Sequence, residues 1–291
     1  LRCFVFTGQG SQYLGMGKDI LEKKPEYELY FDKVKNKIGV DIKSIIFGTD
    51  EKELTLTQNA QVAILTISYI KYLNALEEGL IPDVVAGHSL GEWTALLAAD
   101  VINFEEAVEA VYYRGLYMSE AFEPGKGGMA AVIGMDLNDI EKVLANYPNV
   151  QIANYNSPSQ IVISGEMEEL LISMEKLKEG GARKVVPLNV SGPFHSKFLK
   201  DAEERLRRKI EHLEFKKPRV PIVQNVTAKF ETDPVIIKEN IIKQITSPVR
   251  WIECVEECVK NDVDEFVEIG PTNVLTKFIK QINKNVKLLN I

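Results

Sequence analysis

Between the short apolar run Asp83–Ala86 and the Ala/Leu-rich segment Glu92–Ala99 lies Gly87-His88-Ser89-Leu90-Gly91. No other stretch constrains the fold as tightly. The first run has the length of a strand and the second begins a helix, so the five residues between them must form a sharp strand-to-helix turn. Glycine at each end lets backbones pass closely there. A strand that feeds straight into a helix belongs in a mainly parallel sheet covered by helices. The surrounding pattern agrees. Phe4–Thr7 reads as a first strand, and Leu21–Val34 and Val62–Leu76 carry apolar residues at helical spacing. Phe104, Ala107, Val108, Val111, Tyr112 and Gly115 trace one stripe of a further helix.

The alternation breaks at Pro124-Gly125-Lys126-Gly127-Gly128. A compact unit follows: strand Met129–Ile133, helix Leu137–Tyr147, a hairpin of Gln151–Asn154 and Gln160–Ser164, helix Met167–Glu179 and strand Lys184–Val190. The order βαββαβ is ferredoxin-like. The expected fold is therefore α/β: a large domain from residues 1–126 and 190–291, with a small ferredoxin-like domain, 127–189, inserted in it. Pro221–Asn225 and Glu265–Ile269 are expected to be further strands of the large domain.

The composition excludes several classes. Of the 291 residues, 45% are hydrophobic and 26% charged, which suits a packed domain. Apolar stretches such as Val62–Ile67 and Ala95–Ala99 fall far short of the ~18 residues of a membrane span, and Leu1–Phe6 carries no signal-peptide pattern. Three cysteines at irregular spacing argue against a disulfide framework and for a reducing, cytoplasmic setting. Cys254 and Cys258 read as small half-buried side chains on a helix. A formal charge of −7 argues against nucleic acid as a partner. The basic run Arg205, Arg207, Arg208, Lys209, Lys216, Lys217 and Arg219 is either a solvated helix face or a docking surface for acidic groups.

The turn at Ser89 fits G-x-S-x-G, the pattern that exposes a serine nucleophile and aims the Leu90 amide at an oxygen becoming negative. Such a serine needs a base, and the chain holds three histidines. His88 adjoins Ser89, so its side chain should diverge. His212 lies in a charged run and reads as solvated. His195, between a strand end and a helix start, is best placed, and the helix N-terminus should keep it neutral. No acid stands out to orient it. Gly8-Gln9-Gly10-Ser11-Gln12 follows the first strand but matches neither the dinucleotide nor the Walker fingerprint; the Gln9 amide is the expected second oxyanion donor. Arg114 flanks an apolar helical stripe with no acid at i±3 or i±4. Partly buried, it must find either a distant carboxylate of the chain or the carboxylate of a ligand.

Gly8–Gln12, Gly87–Glu92, Arg114, Asn154–Gly165, Gly192–Ser196, Ser247–Trp251 and Glu268–Pro271, in that order and spacing, resemble malonyl-CoA:acyl carrier protein transacylases over essentially the whole chain. The resemblance implies a hydrolase-like large domain, Ser89 as nucleophile and His195 as base. It implies a backbone carbonyl near Gln244 as the orienter of His195, and Arg114 as the grip on a malonyl carboxylate. It places Gln9 and Leu90 at the oxyanion and Gln61 and Asn156 in the pocket wall. Leu90 and Phe194 look like residues of malonyl-selecting rather than methylmalonyl-selecting members. The implied partners are malonyl-CoA and acyl carrier protein, for fatty acid or polyketide synthesis. No metal or cofactor is expected beyond the coenzyme A thioester, and a monomer is expected.

Overall fold

The computed structural model describes all 291 residues. Its ten strands are β1 (Arg2–Phe6), β2 (Val84–Gly87), β3 (Gly127–Ile133), β4 (Val150–Ser157), β5 (Gln160–Glu166), β6 (Lys184–Pro187), β7 (Ile222–Val223), β8 (Phe230–Glu231), β9 (Glu265–Ile269) and β10 (Lys287–Asn290). They form two sheets, ordered β10-β9-β1-β2-β7-β8 and β4-β5-β3-β6.

In the six-stranded sheet every pairing is parallel except β7 with β8. Helices cover both faces, which is why β1 reads as unbroken apolar sequence instead of alternating. Phe4 and Phe6 join a core with Val62 and Leu65 of the helix Thr57–Glu77. Cys3 and Val5 point the other way, into a core with Trp251, Cys254 and Cys258 of the helix Trp251–Lys260. The cysteines are fully buried rather than half-buried, and all three are free thiols.

The second sheet is antiparallel throughout, with the helices Leu137–Leu144 and Met167–Glu179 against it. Numbered within this unit, its strand order is 2-3-1-4, the ferredoxin-like arrangement. Its edge strand β4 meets the six-stranded part directly. Val249 N–H donates to the Ala153 carbonyl at 2.7 Å, and Tyr155 N–H to the Val249 carbonyl at 2.9 Å. That seam brings Asn154 and Asn156 to the C-terminal ends of β1 and β2.

Several boundaries differ from the sequence reading for identifiable reasons. Leu21–Val34 is not one helix. Lys24, ahead of Pro25, leaves the helical region (φ −133°, ψ 72°), and the chain forms Lys18–Lys23, a tight turn Pro25–Glu28 and Leu29–Ile38. β6 stops at Pro187: Leu188 N–H still reaches the Met129 carbonyl at 2.9 Å, but Val190 N–H then turns back to the Leu188 carbonyl at 3.0 Å and ends the ladder. β7 pairs only through Ile222 and Val223, because Gln224 and Asn225 turn inward to polar partners.

Candidate active site

β2 ends at Gly87 and the helix Gly91–Ala98 begins four residues later. Ser89, at the apex, has φ +54°, a left-handed conformation that non-glycine residues adopt only when their surroundings enforce it. The enforcement is tight. A Cβ on Gly87 would fall 2.0 Å from the Gly91 backbone, and one on Gly91 would fall 2.0 Å from the Phe6 carbonyl oxygen. Only glycine fits at either place.

The hydroxyl so presented opens into a cleft of about 820 Å³, lined among others by Gln9, His88, Asn156, Phe194 and His195. Ser89 Oγ lies 2.7 Å from His195 Nε2. On the far side of the ring, Nδ1 lies 2.9 Å from the backbone carbonyl of Gln244. A carbonyl only accepts, so Nδ1 carries the hydrogen and Nε2 is left free to take the serine proton. His195 is buried, with its pKa lowered to about 3, first by burial and then by the positive charge of Arg114. The cause is therefore not the helix end that the sequence suggested. The segment after His195 opens as a tight turn, Lys197–Leu199, before the helix Lys200–Lys209.

Arg114 is fully buried, not partly so, at 1% exposure. No carboxylate of the chain comes within ion-pair distance of it. Its guanidinium donates to Gln61 Oε1 at 2.7 Å, to Gln244 Oε1 at 3.0 Å and to Ser89 Oγ at 3.3 Å, while Nε has no partner. Burial lowers its pKa to about 10, so it is still a cation at neutral pH. Neutral amides thus hold a full charge beside the nucleophile.

Gln61 is fully buried behind Arg114, and neither of the two is among the residues lining the cleft, against the expectation that Gln61 forms the pocket wall. Asn156 does line it, and lies 2.6 Å from His88 Nε2. His88 accordingly turns away from Ser89 and packs edge-on to Trp251. His212 is exposed. The amides of Gln9 and Leu90 find no acceptor within the protein. The basic run is a surface: Arg205 pairs with Glu120, Arg207 with Glu239, Lys209 with Glu109 and Arg219 with Asp100.

Two residues at the site escaped sequence reasoning. Glu92 is fully buried, its pKa pushed up to about 7 by that burial, and it accepts the Asn225 amide at 2.6 Å. Asn225, also fully buried, bonds the turn around Ser89. The available signal was a lone carboxylate inside the apolar segment Gly91–Ala98.

A hydroxyl raised on a strained turn, next to a neutral imidazole with idle amides nearby, is equipment for moving an acyl group through oxygen. A family model described as an acyl transferase domain matches residues 3–289. The chain is 42% identical to a malonyl CoA-acyl carrier protein transacylase of Bacillus subtilis (strain 168), over 99% of this chain and 92% of that protein. It is 41% identical to the Staphylococcus aureus (strain COL) protein of the same name, over 99% and 94%. An acyl carrier protein S-malonyltransferase from Vibrio cholerae superposes with a TM-score of 0.95 at 37% identity, covering 100% and 96% of the two chains. A malonyl-transacylase in complex with its type II PKS acyl-carrier protein does so at 0.96 and 36%, covering 100% and 95%. The chain belongs to the malonyl CoA-acyl carrier protein transacylase family of acyl transferases.

Proposed function

We propose that this chain moves a malonyl group from malonyl-CoA to the phosphopantetheine thiol of an acyl carrier protein, through an ester on Ser89. Family membership supports the overall reaction, and the environment of Arg114 carries the choice of acyl group. A buried guanidinium whose hydrogen bonds go to two amide oxygens and, at 3.3 Å, to the reacting hydroxyl suits an acyl chain that ends in a carboxylate.

Two half-reactions of the same form follow. His195 Nε2 takes the proton of Ser89 as Oγ attacks the thioester carbon. The oxyanion forms against the amides of Leu90 and Gln9, the role we assign to these idle donors. The carbon–sulfur bond breaks, and the imidazolium gives its proton to the departing thiolate of coenzyme A. The carrier thiol then enters, gives its proton to His195 and takes the malonyl group, restoring Ser89. This is a ping-pong sequence with a Ser–His dyad in which the Gln244 carbonyl does the work of a third residue. Every step is proton transfer or acyl exchange, so no cofactor is required beyond coenzyme A as substrate. We place the reaction in the cytoplasm, a setting consistent with three free thiols.

Mass spectrometry after acid quench tests the reading. Malonyl-CoA should add one malonyl group to the peptide containing Ser89, and carrier protein should remove it. An unmodified peptide, or the same adduct in Ser89→Ala, would overturn it.

A further inference from the structure

Asn225 arrives at the nucleophile from a distant part of the chain, just past β7, and brackets the turn from both ends. Its Nδ2 donates to the Gly87 carbonyl at 2.7 Å, and its Oδ1 accepts the Ser89 N–H at 2.9 Å. The Gln244 side chain donates to the same Oδ1 at 3.0 Å, and also to the Ser89 carbonyl at 3.0 Å. The Asn225 backbone is in turn fixed by its N–H to Glu92 Oε1. Asn225, Glu92 and Gln244 are all fully buried, so water cannot replace any of these contacts.

We propose that Asn225 is a positioning residue for acyl transfer, which holds the strained turn and decides which amides face the developing oxyanion. This rests on the reading of Ser89 as nucleophile and adds what keeps it ready. Two features favour the assignment. Left-handed backbone at a serine relaxes unless neighbours pin it, and Asn225 pins the residue before the apex turn and the apex itself. Asn225 also engages the Ser89 amide. With that donor committed, the Leu90 and Gln9 amides are the ones left without acceptors. An asparagine does both at once because its side chain offers a donor and an acceptor side by side. The pair formed with Gln244 further ties the turn to the residue that orients His195 and holds Arg114.

The test compares Asn225→Ala and Asn225→Asp with the unmodified enzyme. Readouts are kcat and KM for malonyl-CoA, and the second-order rate of Ser89 sulfonylation by phenylmethanesulfonyl fluoride, a probe with no carboxylate for Arg114. A misplaced nucleophile lowers reactivity without touching the thioester's distal contacts. We expect kcat and the sulfonylation rate to fall together by about 10²-fold, with KM within about threefold. Unchanged kcat in folded variant, or a loss confined to KM, overturns the proposal while leaving Ser89 acylation in the unmodified enzyme intact. Failure of the unmodified enzyme to acylate would instead strike the function itself. Asn225→Asp changes a single side-chain group at nearly constant volume, so it carries the same readouts if the Ala variant does not fold.

Discussion

Two arginines of this molecule live under opposite rules. Arg207, on the helix Lys200–Lys209, is 41% exposed and makes a two-pronged pair with Glu239, at 2.5 and 2.9 Å. Arg114 is buried behind Ser89 and has no carboxylate within ion-pair distance, only the more distant pull of buried Glu92. Chemistry would favour the reverse. A surface cation is solvated whether or not it is paired, and such a pair contributes roughly 0–1 kcal/mol. A buried cation without a counter-ion carries a penalty of several kcal/mol. The site tolerates that penalty by ringing the guanidinium with amide oxygens, which offset desolvation without neutralising charge. What the contrast teaches is that an unpaired interior charge is poor scaffolding and good ligand chemistry. On the function proposed above, the anion it awaits is the carboxylate of the malonyl group.

The largest expected effect comes from deleting the interior member. Arg114→Ala should lower kcat/KM for malonyl-CoA by about 10³-fold, the scale of two charge-assisted hydrogen bonds, and that for acetyl-CoA by about 10-fold or less. Equal losses for the two thioesters would mean that the carboxylate sits elsewhere. Next in size, Gln61→Glu would give Arg114 the partner that Arg207 already has, since Gln61 Oε1 is its nearest acceptor. Malonyl transfer should fall by about 10²-fold while Tm holds or rises. If transfer persisted, the guanidinium would not be the malonyl site, and the contrast between the two arginines would lose its functional meaning.

The same contrast explains what the sequence could and could not disclose. Ser89 was legible because a strand, two glycines and a helix in succession leave one geometry, and that geometry exposes a side chain. Arg114 was legible as a cation without local acids. Its true depth was not, because burial arises from packing between elements distant in sequence. Gln61 was placed at the pocket only by the family resemblance, and nothing in the local sequence shows that it stands behind the arginine. The Glu92–Asn225 contact joins residues 133 apart in the chain, and nothing local predicts it. The strand β7 ended early for the same reason: residues that looked β-like were drawn away by polar partners inside the protein. Most strand and helix identities followed from periodicity. The break at Pro25 shows how one proline outweighs an otherwise continuous apolar stripe.

A smaller effect separates the two regions by pH. Burial and the Arg114 charge lower His195 to about 3, so its neutral, proton-accepting form persists through the acid side of the neutral range. Ser89 acylation should show no loss from His195 between pH 8 and 5. In Arg114→Ala the acid limb should move up, because a positive neighbour is gone; stopped-flow acylation across pH would show it. An unmoved limb would mean that burial acts alone. Stability runs the same way. His195 protonates readily near pH 6.5 when unfolded but resists when folded, so its contribution is complete above that pH. It is lost progressively as pH falls from 6.5 toward 3.

The smallest effect belongs to the exterior member. Arg207→Ala removes one exposed partner of Glu239, which retains Lys243 at 3.6 Å. The lost pair is worth roughly 0–1 kcal/mol, so Tm should drop by only a degree or two, and less in high salt because exposed charges are screened. Ser89 acylation by malonyl-CoA should stay within about twofold, since no atom of Arg207 approaches the cleft. The measurement has force because it is made on the first half-reaction alone, where no carrier protein touches the surface. A tenfold loss there would show that the outer cations act on the chemistry through the helix that carries them. The separation between a paired exterior and an unpaired interior would then fail at its simpler end.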